Sequence, residues 1–217
     1  MTRRREFIAQ LGSIATGISL NAKGLKPGAG LSQSEWDTSW IESLRAAQFR
    51  VVFNASEISD GIAMDYAATF LDHFHEVHAT RDQQTRPVIV FRRLGTVMAF
   101  NDVLWDRYAL GADRKVNDPA TKAPARRNIF WKAPEGSSEG AAATKIETLQ
   151  KRGLISLVCS ISIGSFSGRI ADQTKRNVDE VRAEVLANLL PGAIPVPSGI
   201  YGLIRAQNAG CAFMPGT

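Results

Sequence analysis

Leu154-Ile155-Ser156-Leu157-Val158-Cys159, entered from Gly153, is the stretch that decides the fold. A short, nearly continuous Leu/Ile/Val run bounded by a glycine reads as a strand buried on both faces, and such strands belong to parallel sheets. Two runs of the same kind precede it. One is Phe49-Arg50-Val51-Val52-Phe53-Asn54; the other is Val88-Ile89-Val90-Phe91, entered through Arg86-Pro87 and left at Arg92-Arg93. Two shorter runs follow, Ala193-Ile194-Pro195-Val196 and Cys211-Ala212-Phe213-Met214.

Between these runs the apolar period changes to that of a helix. From Asp60 to Ala79, the residues Ala63, Ala67, Phe70, Leu71, Phe74 and Val77 recur at helical spacing. Further helices are predicted from Thr96 to Tyr108, from Ala141 to Lys151, and across Val178, Val181, Val185, Leu186 and Leu189 up to Pro191-Gly192. Ser198 is an N-cap for a last helix that carries Ile200, Leu203 and Ile204 and ends near Gly210. Strands alternating with helices predict an α/β fold: three layers, α/β/α, around a five-stranded, mostly parallel sheet. One segment breaks the alternation. Gly111 to Gly140 contains Pro119, Pro124 and Pro134 and reads as an insertion, with Ile129-Phe130-Trp131 as an apolar island. Trp131, near Arg126 and Arg127, is a candidate to cover the pocket or to contact a neighbouring subunit, of which the subunit contact is expected.

The amino end has a different character. Arg3-Arg4-Arg5-Glu6-Phe7-Ile8 matches the twin-arginine export pattern, and Phe7 to Leu20 is a mildly apolar stretch too short and too polar to span a bilayer. Residues 1–22 therefore read as a twin-arginine signal with a small-residue cleavage site at Ala22, and Ala29 as a later choice, which places the mature protein in the periplasm. Residues 23–48 read as a Gly/Ser-rich tether and a short leading helix from Ser39 to Ala47, and residues 49–217 as one α/β domain with the insertion at 111–140. The whole chain of 217 residues carries +5. Its basic residues are scattered among acids, so nucleic acid is not an expected partner. No second apolar run approaches membrane-spanning length, so stable membrane insertion is not expected either.

From Gly153 to Met214 the chain resembles the DsrE/DsrF-like family of small sulfur-metabolism proteins. The resemblance is carried by the strand ending in Val158-Cys159 and by Leu189-Leu190-Pro191-Gly192, Val196-Pro197-Ser198-Gly199-Ile200-Tyr201, Leu203-Ile204-Arg205 and Gly210-Cys211-Ala212-Phe213. It implies a parallel sheet in the order 4-3-2-1-5, a homo-trimer or homo-hexamer, and exchange with a sulfur-carrier partner. Some relatives carry sulfur as a persulfide on a cysteine after the third strand. By position that cysteine is Cys159 here, although Ser160 to Arg169 lacks the paired basic residues of the sulfur carriers.

Ligands of open α/β sheets bind beyond the carboxyl ends of the strands. Cys159 ends the third strand. If that strand lies between the second and fourth, Arg92 and Arg93 leave on one side of it, while Ser198 and Gly199 open a helix on the other. Arginines and a helix N-terminus both favour anions and would hold Cys159 as a nucleophilic thiolate. Two readings of Cys159 remain open: the catalytic thiol of a site that binds sulfur or a small anion, or a small buried core residue in a non-catalytic binding or assembly protein. Cys211 starts a strand at the opposite end of the sheet and reads as packing, so a Cys159–Cys211 disulfide is not expected.

His73, His75 and His78 share one helix without a completing carboxylate or cysteine motif, so they read as a solvated face rather than a metal site. Asp102, Trp105, Asp106 and Tyr108 are candidates for a pocket mouth, and on an amphipathic helix they divide equally well into packing and solvated positions. No Walker loop, Rossmann glycine fingerprint, CxxC pair or HExxH is present, and Gly164-Ser165-Phe166-Ser167-Gly168 has Phe where a nucleophile elbow needs Ser. No cofactor is expected.

Overall fold

A computed structural model describes residues 36–217; the stretch read as a twin-arginine signal and the first part of the segment read as a tether lie outside the described residues. The leading helix α1 spans Ser39–Ala46 and turns directly into β1, Phe49–Ala55. Then come α2 (Ile62–His78), β2 (Thr85–Phe91), a 3-10 turn (Arg93–Ala99) and the short helices α3 (Asp102–Arg107), α4 (Leu110–Arg114), α5 (Glu139–Ala143) and α6 (Ile146–Lys151). The chain continues with β3 (Ile155–Cys159), α7 (Ser160–Thr174), α8 (Val178–Ala187), β4 (Ala193–Val196), α9 (Gly199–Asn208) and β5 (Ala212–Pro215). The sheet runs β4-β3-β2-β1-β5, the order that the resemblance implies, and every pairing is parallel.

Alternation along the strands builds the three layers. Phe53, Ile89, Phe91 and Val158 face the larger core with residues of α2, α7 and α8, whereas Val52, Val88, Val90 and Leu157 face the smaller core with α1 and α9. Each fully buried large side chain, such as Phe53 or Phe91, contributes roughly 1.5–3 kcal/mol relative to exposure. Val77, counted above in the apolar stripe of α2, is 72% exposed: it sits in the last turn, past the end of the sheet face that Leu71 covers.

Three segments differ from their sequence reading. The helix expected from Thr96 to Tyr108 is divided, because Phe100 bridges to Leu189 and Asn101 starts a new helix, its side chain accepting the Leu104 N–H. The helix expected from Ala141 is likewise two short ones, broken at Thr144-Lys145, where Ile146 N–H turns to donate to Phe130 O. Residues 160–174, given no structure from sequence, form α7. Its serines and glycines have weak helix propensity, and burial of Ile163, Phe166 and Ile170 at helical spacing overrides it.

The 111–140 segment is anchored rather than free. Buried Asn128 donates its Nδ2 to Met98 O and Phe100 O, both at 2.7 Å, and its N–H to Asp102 Oδ1 at 2.8 Å. Trp131 packs, partly buried, against the larger core. Among the described residues no helix is long and apolar enough to cross a membrane.

Candidate functional site

The site grows from the exits of β2 and β3. After Phe91, Arg92 remains extended and donates its N–H to Ala55 O at 3.0 Å, while Arg93 takes a left-handed φ of 50° that starts the 3-10 turn. Such a conformation in a non-glycine residue costs on the order of 1 kcal/mol or more and persists only when its surroundings hold it. The Arg93 N–H is held by Ser162 Oγ at 2.7 Å. Ser162 lies in the first turn of α7, which starts immediately after Cys159, and its own N–H donates to Cys159 Sγ at 3.4 Å. Cys159 is therefore the N-cap of α7 and is 4% exposed.

The two arginines diverge. The aliphatic part of Arg92 lies over Gly199 on the α9 side, its Cδ 2.8 Å from where a Cβ on Gly199 would stand. There Ser198 caps α9, its Oγ accepting the Tyr201 N–H at 3.0 Å. Arg93 instead lines a groove of about 400 Å³ on the α7 side, together with Thr96, Arg114, Ser162, Ser165 and Arg169. Leu94, Val97, Ile161 and Phe166 form its apolar wall. A second hollow of about 290 Å³, lined by Glu57, Ser59 and Lys115 among others, shares Leu94 and Arg114 with it. The residues named from sequence thus fall into two groups, Arg92 with Ser198 and Gly199, and Arg93 with Cys159 through Ser162. Cys159 itself is behind Ser162 and does not line the groove.

Arg114, Arg169, Thr96 and Ser162 were not singled out from sequence. Arg114 sits in the segment read as an insertion and Arg169 in the unassigned α7. Ser162, Ser165, Phe166 and Arg169 follow helical spacing, and that was the available signal.

Charge in the groove is unevenly balanced. Asp113 is shared: its carboxylate accepts from Arg169 Nη1 and Nη2 at 3.3 and 3.0 Å and lies 3.2 Å from Arg114 Nε. Arg93 is 3.9 Å from Glu57. Burial pulls the Arg114 guanidinium below the ordinary arginine value and neighbouring Arg169 adds to this, while Asp113 and Glu57 oppose it. Thr96, 1% exposed, has an Oγ1 without a hydrogen-bond partner.

The other candidates are occupied structurally. Trp105 is fully buried and donates Nε1 to Val97 O at 3.0 Å, Asp106 pairs with Arg126, and Tyr108 donates to Glu184. Asp102 accepts the Asn128 N–H, so these residues serve packing, as in buried Trp105, and polar pairing at the surface. His78 stacks on Phe49, and His75 lies 3.4 Å from Asp82; among the described residues no cluster of three or more His, Cys, Asp and Glu is placed to hold a metal. Both cysteines are free and buried. Compared with protein-family models, curated proteins and solved structures, the chain matches none.

Proposed function

We propose that the chain is a periplasmic, DsrE/DsrF-like protein that binds a small anionic ligand in the groove between the exit of β2 and α7, with Cys159 behind its wall. The observation that carries this reading is the arrangement of Arg93, Arg114 and Arg169 along one groove against two carboxylates within ion-pair reach, Asp113 and Glu57. The amino end of α7 adds its N–H groups to the same edge. Titration of the mature protein with sulfate, phosphate, thiosulfate and acetate, followed by amide NMR, tests it. Saturable shifts at Ser162 and Arg169 that are at least tenfold weaker in Arg114→Ala/Arg169→Ala are expected. Equal binding by that variant would remove the groove from the function.

A second reading, sulfur handling, is favoured by the contact of Cys159 Sγ with the first turn of α7. In that chemistry the Cys159 thiolate takes the outer sulfur of a persulfide donor, which leaves as a thiolate. Burial of the thiol ranks this reading second. Peptide mass mapping after incubation with a persulfide donor should find the adduct on Cys159 and none in Cys159→Ser; an unmodified Cys159 would sink it. The proposal includes a homo-trimer or homo-hexamer, read out by sedimentation. It also includes twin-arginine export, which Arg4→Lys/Arg5→Lys should block, retaining the precursor in the cytoplasm.

A further inference from the structure

We propose that the ligand of this groove is a monoanionic amphiphile, a short-chain carboxylate, and not an inorganic oxyanion. The inference rests on the anion-binding reading above and adds the chemical class.

Charge sets the head of the molecule. Arg93 is within reach of Glu57, while Arg114 and Arg169 share the single carboxylate of Asp113, and Lys115 lines the adjoining hollow, so the cations outnumber the carboxylates that reach them. A carboxylate head meets this surplus. The planar fork of a carboxylate also matches the guanidinium geometry that Arg169 already displays toward Asp113.

The wall sets the rest of the molecule. Leu94 is 43% and Ile161 64% exposed, and together with Val97 and the rim of Phe166 they make one side of the groove apolar. Phe166 is held in place by Phe100, Tyr108 and the Arg169 guanidinium, 5.3 Å from its ring centre. Sulfate would use the charge and leave this wall wet. A space of about 400 Å³ lies within the roughly 300–1,000 Å³ typical of small-molecule sites, more than a tetrahedral oxyanion fills. An alkyl or small aryl tail lying on Leu94, Val97 and Ile161, with its carboxylate toward Arg114 and Arg169, uses both halves.

Calorimetric titration of the mature protein with acetate, butyrate and hexanoate, and with sulfate and phosphate at matched ionic strength, tests this. Affinity is expected to rise about two- to four-fold per added methylene, with hexanoate at least tenfold tighter than sulfate. Ile161→Ser, at an exposed position, should flatten the chain-length dependence. Arg169→Gln should weaken all carboxylates alike. A flat series with sulfate binding as well as hexanoate overturns the amphiphile and leaves the anion site standing. Failure of every anion to bind overturns both.

Discussion

Arg93 and Ser162 meet across the carboxyl edge of the sheet, the Arg93 N–H donating to Ser162 Oγ at 2.7 Å, while the Ser162 N–H donates to Cys159 Sγ at 3.4 Å. One serine thus couples the left-handed turn that aims Arg93 to the capped thiol at the start of α7. Ser162→Ala removes the first bond and retains the second, since only the hydroxyl is lost. The expected cost is about 1 kcal/mol, or roughly 2–4 °C in melting temperature for a domain of this size, together with weaker hexanoate binding as Arg93 loses its anchor. Calorimetric melting and titration of this variant check both; an unchanged Tm and affinity would show that Arg93 is placed by other contacts.

Cys211 gives a pH signature. Burial pushes its thiol up to about 12, against the opposing pull of Arg50. The unfolded chain releases this proton near the ordinary value of about 8.5, so the folded state binds the extra proton between these limits. Stability from Cys211 is complete below about pH 8.5 and falls as pH rises toward 12, with a slope of at most about 1.4 kcal/mol per pH unit. Urea denaturation at pH 8 and pH 10 should show a larger loss for wild type than for Cys211→Ala. Parallel losses would mean that the thiol ionises in the folded state.

The three central strands were legible because burial on both faces demands short β-branched and aromatic runs such as Val88-Ile89-Val90-Phe91. The sheet order came from a resemblance, since nothing local encodes which strand lies beside which. α7 was hidden: Ser160, Ser162, Gly164, Ser165, Ser167 and Gly168 mask the period carried by Ile163, Phe166 and Ile170. With α7 went Arg169 and Ser162, and so half of the groove. The divergence of Arg92 and Arg93 follows from the change of backbone between them, from extended at Arg92 to left-handed at Arg93. Nothing in the sequence marks that change, so the two were grouped as one site. Arg114 could not be read locally, because its meeting with Arg169 through Asp113 depends on the packing of two segments far apart in the chain.

Glu184 on α8 gathers three donors: Tyr108 Oη at 2.8 Å, Arg176 Nη1 at 2.7 Å, and Arg107. Burial raises its carboxyl pKa, but the bonds from Arg176, Tyr108 and Arg107 outweigh this and hold it below the ordinary glutamate value. A depressed folded value stabilises the fold above the unfolded pKa of about 4.3 and is lost as pH falls through the folded value. Glu184→Gln should therefore cost about 1–3 kcal/mol near neutral pH, and its deficit relative to wild type should shrink below pH ~4. Denaturant melts at both pH values read this out. A pH-independent deficit would assign the effect to packing alone.

Gly111 tests whether α4 and the segment crossing it position Arg114. A Cβ at this position would stand 2.2 Å from Ala125 O and 2.3 Å from Ala125 N, contacts with backbone that no rotamer change relieves. The approach is fixed on both sides, since Val116 N–H donates to Gly111 O at 2.8 Å and Ala125 N–H to Val116 O at 2.9 Å. Gly111→Ala must push these segments apart, breaking the two bonds and opening the cover over Leu110 in the larger core. A loss of about 3 kcal/mol or more is expected, which is roughly 6 °C or more in Tm. Because Arg114 ends the same short helix, hexanoate affinity should fall in the protein that remains folded. A variant with lowered Tm and undiminished affinity would mean that Arg169 and Arg93 hold the anion without Arg114; one with unchanged Tm would mean that the 116–125 segment does not pack against Gly111 as closely as these distances require.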